Sequence, residues 1–461
     1  MCSAPWPFGA APFFFCVFVI SPSFLKARTE LRAIALIALP VITAQLLQMG
    51  MGVADTVMAG RISPLALAAV AMGSAMWFFT FIAGLGLMLA LTPIMAHHVG
   101  ANRHHLIGDE WRQGLWLALG LSLVQIATLC ALALLMPHLG ISPEIVSETR
   151  RYLLWVGWSL PFTCLYLVPR FLNESMGHTM PMLWTQLLML PLNVLGNYVF
   201  MYGHFGWPAM GGAGAALSTG IAQTLGCVAL FTYTLRAPRY AAHRLRQTWT
   251  RPDWAHIGRI VRLGLPISIG MAMESGMFTA TALLMGRFGV DAVAGHQIAI
   301  NIASTAFMVP LGLSIALTVR VGQALGAGDP LAARYRGRLG IALCTGFMAV
   351  SAGVLWTANE FLAGLYTANA QVMAVAAQFL VFAAVFQLVD GLQVGAMGVL
   401  RGYKDTKVPM FVTVFCYWVI GMGLSLGLGV FGPLGPVGLW VGLVGGLAVA
   451  AVVLTARFWR L

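Results

Sequence analysis

Charge is what this sequence has least of. Asp, Glu, Lys and Arg together make up 9% of its 461 residues, where a soluble chain carries about a quarter. That shortage excludes both a soluble enzyme and a disordered chain. Long polar segments are missing as well. The clearest loop is the stretch 236–259, too short for an extramembrane domain, so a receptor or scaffold ranks last. No G-x-x-x-x-G-K-[ST] phosphate loop occurs, which removes ATP as the energy source. Cys2, Cys16, Cys130, Cys164, Cys227, Cys344 and Cys416 form no C-x-x-C pair. Most of them lie inside apolar runs, where a free thiol behaves as a small hydrophobe, so neither disulfides nor a metal centre is expected.

What fills the sequence is apolar. Hydrophobic residues reach 59%, and runs of about 20 residues, each enough for a hydrocarbon core of about 30 Å, recur from end to end. Twelve spans are predicted, near 31–54, 65–92, 114–136, 150–169, 183–203, 211–234, 260–284, 292–317, 338–358, 371–397, 408–430 and 435–456. The formal charge of +12 is not a nucleic-acid footprint, because of where it sits. With the N-terminus inside, only Arg61, Arg150, Arg151 and Arg287 of the 26 basic residues fall outside. That bias predicts cytoplasmic termini and an even number of helices. The cluster His97, His98, His104 and His105 has no standard metal spacing and reads as solvated loop histidines. Residues 1–28 read as a leader, unstructured or an over-long start, since no basic residue precedes the apolar stretch near 9–20.

The spans repeat. Leu39-Pro40 matches Leu265-Pro266, Arg61 matches Arg287, Gly86-Leu87 matches Gly312-Leu313, and Gly100-Ala101 matches Gly326-Ala327, each pair 226 residues apart (265 minus 39). Six helices is an even number, so both halves enter from the same side as parallel repeats. The expected fold is an all-α membrane protein of twelve transmembrane helices in two six-helix lobes around a central cleft. The N-lobe is expected over 29–235, a basic cytoplasmic linker over 236–259 and the C-lobe over 260–461. Two lobes around a cleft suit alternating access. A monomer suffices, since both lobes lie in one chain.

Three carboxylates fall inside or one residue past predicted spans: Asp55, Glu274 and Asp390. Each costs about 2.5–3.5 kcal/mol at mid-span if ionised and unpaired, and no Lys or Arg lies beside them, since Arg32 and Arg262 sit at the first residues of their spans. Such acids hold a proton, a cation or a cationic substrate, or they stay protonated against a neighbouring helix. Gln48 shares a helical face with Asp55. At the repeat offset Glu274 stands where Gln48 stands, and Thr281 where Asp55 stands. Gln297, Asn301 and Thr305 make a polar stripe, Gln387 and Gln393 flank Asp390, and Asn193 and Asn197 are spaced to reach Asp55. If Glu274 and Asp390 share a cavity, their repulsion calls for one proton or one cation between them.

The segments MGVADTVMAGR (51–61), GHQIAIN (295–301) and VDGLQVGAMGVLRGYKDTKVPM (389–410) resemble the multidrug and toxic compound extrusion (MATE) family, in particular its NorM-like bacterial multidrug efflux branch. The resemblance covers about residues 29–457. It implies an antiporter, not an enzyme, that exports organic cations and drugs across the lipid bilayer of the bacterial inner membrane against Na⁺ or H⁺, without a cofactor. It maps the cation site onto Glu274 and Asp390, with any Na⁺ held there. It maps a second ion-binding acid onto Asp55 with Asn193 and Asn197, and the helix-8 polar motif onto His296, Gln297 and Asn301. Several relatives carry Tyr one turn before the helix-10 acid; this chain has Phe386. A lipid-linked oligosaccharide flippase of the same superfamily is the alternative. It would want a basic cavity, whereas the mid-span charges here are acidic.

Overall fold

A computed structural model of the chain describes residues 24–246 and 250–461, and those residues form helices, with no β-strand among them. The expected leader lies outside them, except that the first helix has already begun at Phe24. In chain order the long helices are α1 (Phe24–Gly60), α2 (Pro64–Gly100, with a break after Met88), α3 (His104–Leu135) and α4 (Pro143–Gly157, then Leu160–Ser175, bent by 43°). They continue with α5 (Met180–Phe200), α6 (Gly212–Arg236), α7 (Trp254–Met285) and α8 (Val290–Gly326). The last four are α9 (Pro330–Thr357), α10 (Ala370–Gly402), α11 (Lys407–Val430) and α12 (Pro436–Arg460). Ten of these are long and apolar enough to cross a membrane, and bent α4 makes eleven. The twelfth is α5, 21 residues long, whose Gln186, Asn193 and Asn197 dilute its hydropathy.

Most helices outrun the predicted spans. Hydropathy sees only the apolar middle, while the backbone stays helical into the polar ends. At 1.5 Å per residue, the 37 residues of α1 reach about 55 Å. Pro40 in α1 and Pro266 in α7 sit at the same place in the repeat, and each removes one hydrogen bond from its helix.

The lobes meet at the end that carries the linker and the C-terminus, and they do so symmetrically. A side chain at Gly86 would strike the backbone of Ser268 on α7, and one at Gly312 would strike Ile42 on α1. Gly100 lies against the carbonyl of Gln323, while Gly326 lies against the carbonyl of His97. Each contact maps onto the other by the offset of 226 (312 minus 86, 268 minus 42, 326 minus 100, 323 minus 97), so a pseudo-two-fold axis runs between the lobes. Only glycine lets the helices approach this closely.

Ion pairs close the same end, with their signs exchanged between the two sides. Glu30 on α1 lies 2.6 Å from Arg320 and 3.0 Å from Arg336 across the interface. At the offset, His256 of α7 replaces Glu30 and Glu110 of α3 replaces Arg336, and these two lie 2.8 Å apart. Gln323 donates to the carbonyl of Ser175 at 2.8 Å. The reading of His97 and His98 as solvated loop residues is corrected here. Both belong to the last turns of α2; His97 Nε2 lies 2.9 Å from the Gly402 carbonyl of the other lobe, and His98 Nε2 lies 3.4 Å from Glu110.

Candidate functional site

The N-lobe site is built on Asp55, which is 8% exposed near the end of α1. From α5, Asn193 and Asn197 share a face at i, i+4 and donate to the same carboxylate oxygen at 3.1 and 2.6 Å. Thr219 of α6 donates to the other oxygen at 3.0 Å and accepts from Asn193 at 2.9 Å. Asn193 and Asn197 are fully buried, and the amide oxygen of each has no hydrogen-bond partner among the described residues. One carboxylate, one hydroxyl and two spare carbonyl oxygens make a donor set for a hard cation or a proton. Thr219 was missed from the sequence, although the Ser218-Thr219 pair in an otherwise apolar span was a visible signal. Thr281, at the position of Asp55 in the repeat, is buried and donates to its own helix at Met277.

Three helices of the C-lobe bring its polar groups together. Glu274 on α7 and Asp390 on α10 interact electrostatically, and Asp390 is 2% exposed. Tyr417 of α11 joins this group, its hydroxyl donating to Glu274 at 3.4 Å and accepting from Gln393. Tyr417 belongs to a π-helical stretch, Phe415–Gly421, a local widening that recurs at functional sites. The Gln387 side chain is fully buried with neither polar atom partnered, and Gln393 keeps a free carbonyl oxygen. Phe386 packs edge-on against Phe278, with ring centroids 5.8 Å apart, so its face of α10 is apolar. Tyr417 is the second residue missed; its one polar atom was hidden in an aromatic run.

The helix-8 motif divides. His296 points into the C-lobe core against Trp440, centroids 5.5 Å apart, away from its neighbour Gln297, which is exposed. Asn301 accepts from Tyr366 at 2.9 Å, and the Thr305 hydroxyl lies 4.0 Å from the Met49 sulfur of α1, which places this face at the cleft between the lobes. Gln48 is half-buried on α1 with no hydrogen-bond partner among the described residues.

One expectation about charge needs correction. The predicted span ended at 397, but α10 runs on to Gly402 and carries Arg401, whose charge acts on both Glu274 and Glu174. Arg401 also donates to Ser314 at 2.5 Å. Glu174 is a further fully buried acid, paired with Arg170 at 2.9 Å within α4, and Arg170 reaches Gln45 of α1 at 3.3 Å. These pairs lie in the closed half of the molecule, beyond the reach of a reading that marked Arg170 and Arg401 as loop charges.

The family model MatE matches residues 40–199 and again 266–426, the two matches beginning 226 residues apart (266 minus 40). The "Probable multidrug resistance protein NorM" of Xanthomonas campestris pv. campestris is 41% identical over 437 residues, 94% of each chain. The "Multidrug resistance protein PmpM" of Pseudomonas aeruginosa is 41% identical over 443 residues, covering 95% of this chain and 92% of its own. The crystal structure of the eukaryotic MATE transporter AtDTX14 superposes with a TM-score of 0.85 at 19% identity, over 94% of this chain and 96% of that one.

Proposed function

This chain belongs to the MatE family, whose members are transporters and not enzymes, and from that premise we propose that it is a cation-coupled antiporter exporting organic, mostly cationic, drugs and toxic compounds by alternating access. The observation that carries the reading is the cage around Asp55: a buried carboxylate with three donors aimed at it and two amide oxygens left without partners. A hydrogen-bonded structural acid would not need those spare oxygens. An Na⁺ ion needs several oxygen ligands, and a proton needs an acceptor held ready; the cage suits either. Glu274 and Asp390 form a second, like-charged pair that ion entry relieves.

By the distribution of Lys and Arg, the joined end of the lobes faces the cytoplasm and both termini lie there. In that orientation the glycine contacts and the ion pairs close the inner path, which supports an outward-facing reading. One ion entering down 100 mV releases about 2.3 kcal/mol. Export of one monovalent cation against one such ion is electrically neutral, and a second carboxylate site allows a second ion to restore the electrical drive. A flippase for an anionic headgroup fits less well, because the buried arginines Arg170 and Arg401 are engaged by Glu174 and Ser314.

The test is efflux of an ethidium-type dye from everted vesicles under separately imposed Na⁺ and pH gradients. Wild type is set against Asp55→Asn, Glu274→Gln and Asp390→Asn. Stimulation by one gradient that is lost in the variants supports the antiporter and names its ion. Equal efflux from all four proteins would overturn it.

A further inference from the structure

The turn between α10 and α11, RGYKDTK, is the most distinctive motif in the chain, and apart from Arg401, whose charge acts on Glu274, it lies outside both candidate ion sites. Most of its polar groups are spoken for. Arg401 donates to Ser314, and the Gly402 carbonyl meets His97. Asp405 is paired with Arg457 at 2.9 Å, and Thr406 donates to the Leu263 carbonyl at 3.0 Å. Lys404 and Lys407 have no hydrogen-bond or ion-pair partner within 4 Å among the described residues.

Both lysines line a crevice of about 760 Å³ at the joined end, walled by α2 and α3 of one lobe and by α7 and this turn of the other. Arg262 of α7 joins them and is likewise unpaired among the described residues. The acids in the crevice are already committed: Asp109 to Arg112 at 2.5 Å, Glu110 to His98 and His256, and Asp405 to Arg457. Arg259 also lines the crevice and reaches only His256, at 3.0 Å, so four cations face one cavity without a hydrogen-bonded anion among the described residues. Arg262, Lys404 and Lys407 are exposed along the crevice; the crevice walls lower the Lys404 pKa by partial desolvation, and the charge of Glu110 only partly offsets this.

The backbone makes the same point. Lys404 sits at φ +60, a left-handed conformation that favours glycine. The equivalent turn of the N-lobe, between α4 and α5, has Gly177 there, at φ +74. The two turns correspond in detail: Thr179 donates to the Ile37 carbonyl as Thr406 donates to that of Leu263. The C-lobe thus places a lysine where its counterpart uses glycine, and the lysine side chain lines the crevice.

We propose that this crevice binds a phosphate group through Arg262, Lys404 and Lys407. By the orientation proposed above it lies at the cytoplasmic surface, where anionic lipid headgroups gather at basic pockets between helices; free phosphate offers the same chemistry. Because the walls come from both lobes, a bound phosphate holds the inner side shut. That consequence rests on the alternating-access reading, whereas the binding itself does not.

The experiment compares thermal unfolding of the full chain in nanodiscs of phosphatidylcholine and of phosphatidylglycerol, and in detergent with inorganic phosphate or chloride at equal ionic strength. Phosphatidylglycerol, phosphate or both should raise the wild-type midpoint by several degrees. A response to the lipid alone names the headgroup as the source; a response to phosphate in detergent names the free ion. Arg262→Gln/Lys404→Gln/Lys407→Gln should lose the response, and Arg287→Gln, exposed at the opposite end, should keep it. Lys404→Gly relieves the left-handed backbone, so it should fold at least as well as wild type and still respond less. No response to either anion in wild type, or an equal response in the triple variant, would overturn the site, whatever the dye-efflux assay shows.

Discussion

Alanine at Gly326 should drive the lobes apart at their joined end. An ideal Cβ there would overlap the His97 carbonyl of the other lobe, and the reciprocal change at Gly100 would overlap that of Gln323. The obstacle in each case is backbone and cannot rotate aside. Overpacking of this kind costs about 1–3 kcal/mol. The clash exists only while the lobes are closed on this side, so it acts on the conformational equilibrium rather than on the folding of either lobe. At a factor of ten per 1.4 kcal/mol, the closed state should lose about 5- to 150-fold in relative population. Spin labels at Arg103→Cys and Leu331→Cys, both exposed at this end, would report it once Cys2, Cys16 and Cys130, the last being the exposed thiol among the described residues, are replaced. Gly100→Ala and Gly326→Ala should each add a longer-distance population, and by similar amounts because the contacts are related by the pseudo-two-fold axis. Two stable variants with unchanged distance distributions would refute the reasoning.

Glu174→Gln should lower the unfolding midpoint sharply, because it strands the buried Arg170 guanidinium; breaking such a pair costs about 3–5 kcal/mol, and a shift no larger than that of an exposed Glu→Gln change would count against it. Thr219→Val removes one donor from Asp55 and the acceptor for Asn193. The loss of about 1–3 kcal/mol should appear as weaker ion stimulation of dye efflux, and full stimulation would mean that Thr219 is mere packing. Tyr417→Phe cuts the hydroxyl that, among the described residues, joins Glu274 to Gln393. It should reduce ion-stimulated efflux while leaving the stability within about 1.5 kcal/mol of wild type; unchanged efflux would remove Tyr417 from the site.

Much of this was legible from the residues because membranes enforce simple rules. Apolar length gives the spans, and a constant offset gives the two lobes. Asp55, Glu274 and Asp390 stood out because charge is costly in a bilayer. What stayed hidden was of two kinds. Thr219 and Tyr417 carry a single hydroxyl, which is cheap enough in an apolar helix to look like packing, and only the convergence of three helices gives it a partner. His97, His98, Arg170 and Arg401 were read as loop groups because hydropathy ends a span where charge begins. The helices run further than that, and their charged ends face one another across the lobes.

The symmetry of the molecule separates two jobs. The glycine contacts that join the lobes obey the repeat offset on both sides, and even the exchanged ion pairs, Glu30 with Arg336 and His256 with Glu110, use equivalent positions. A rocking motion about a pseudo-two-fold axis needs that equivalence, since each lobe must close against the other with the same geometry. The ion sites break it. Asp55 has a self-satisfied threonine as its counterpart, and Glu274 has Gln48. An ion bound by Asp55 therefore meets α5 and α6 of one lobe, whereas one bound by Glu274 and Asp390 meets α10 and α11 of the other. Two ions binding at unlike places can bias the same motion by different amounts, which two identical sites could not do. On the antiporter reading proposed above, the retained symmetry would supply the hinge and the lost symmetry the coupling.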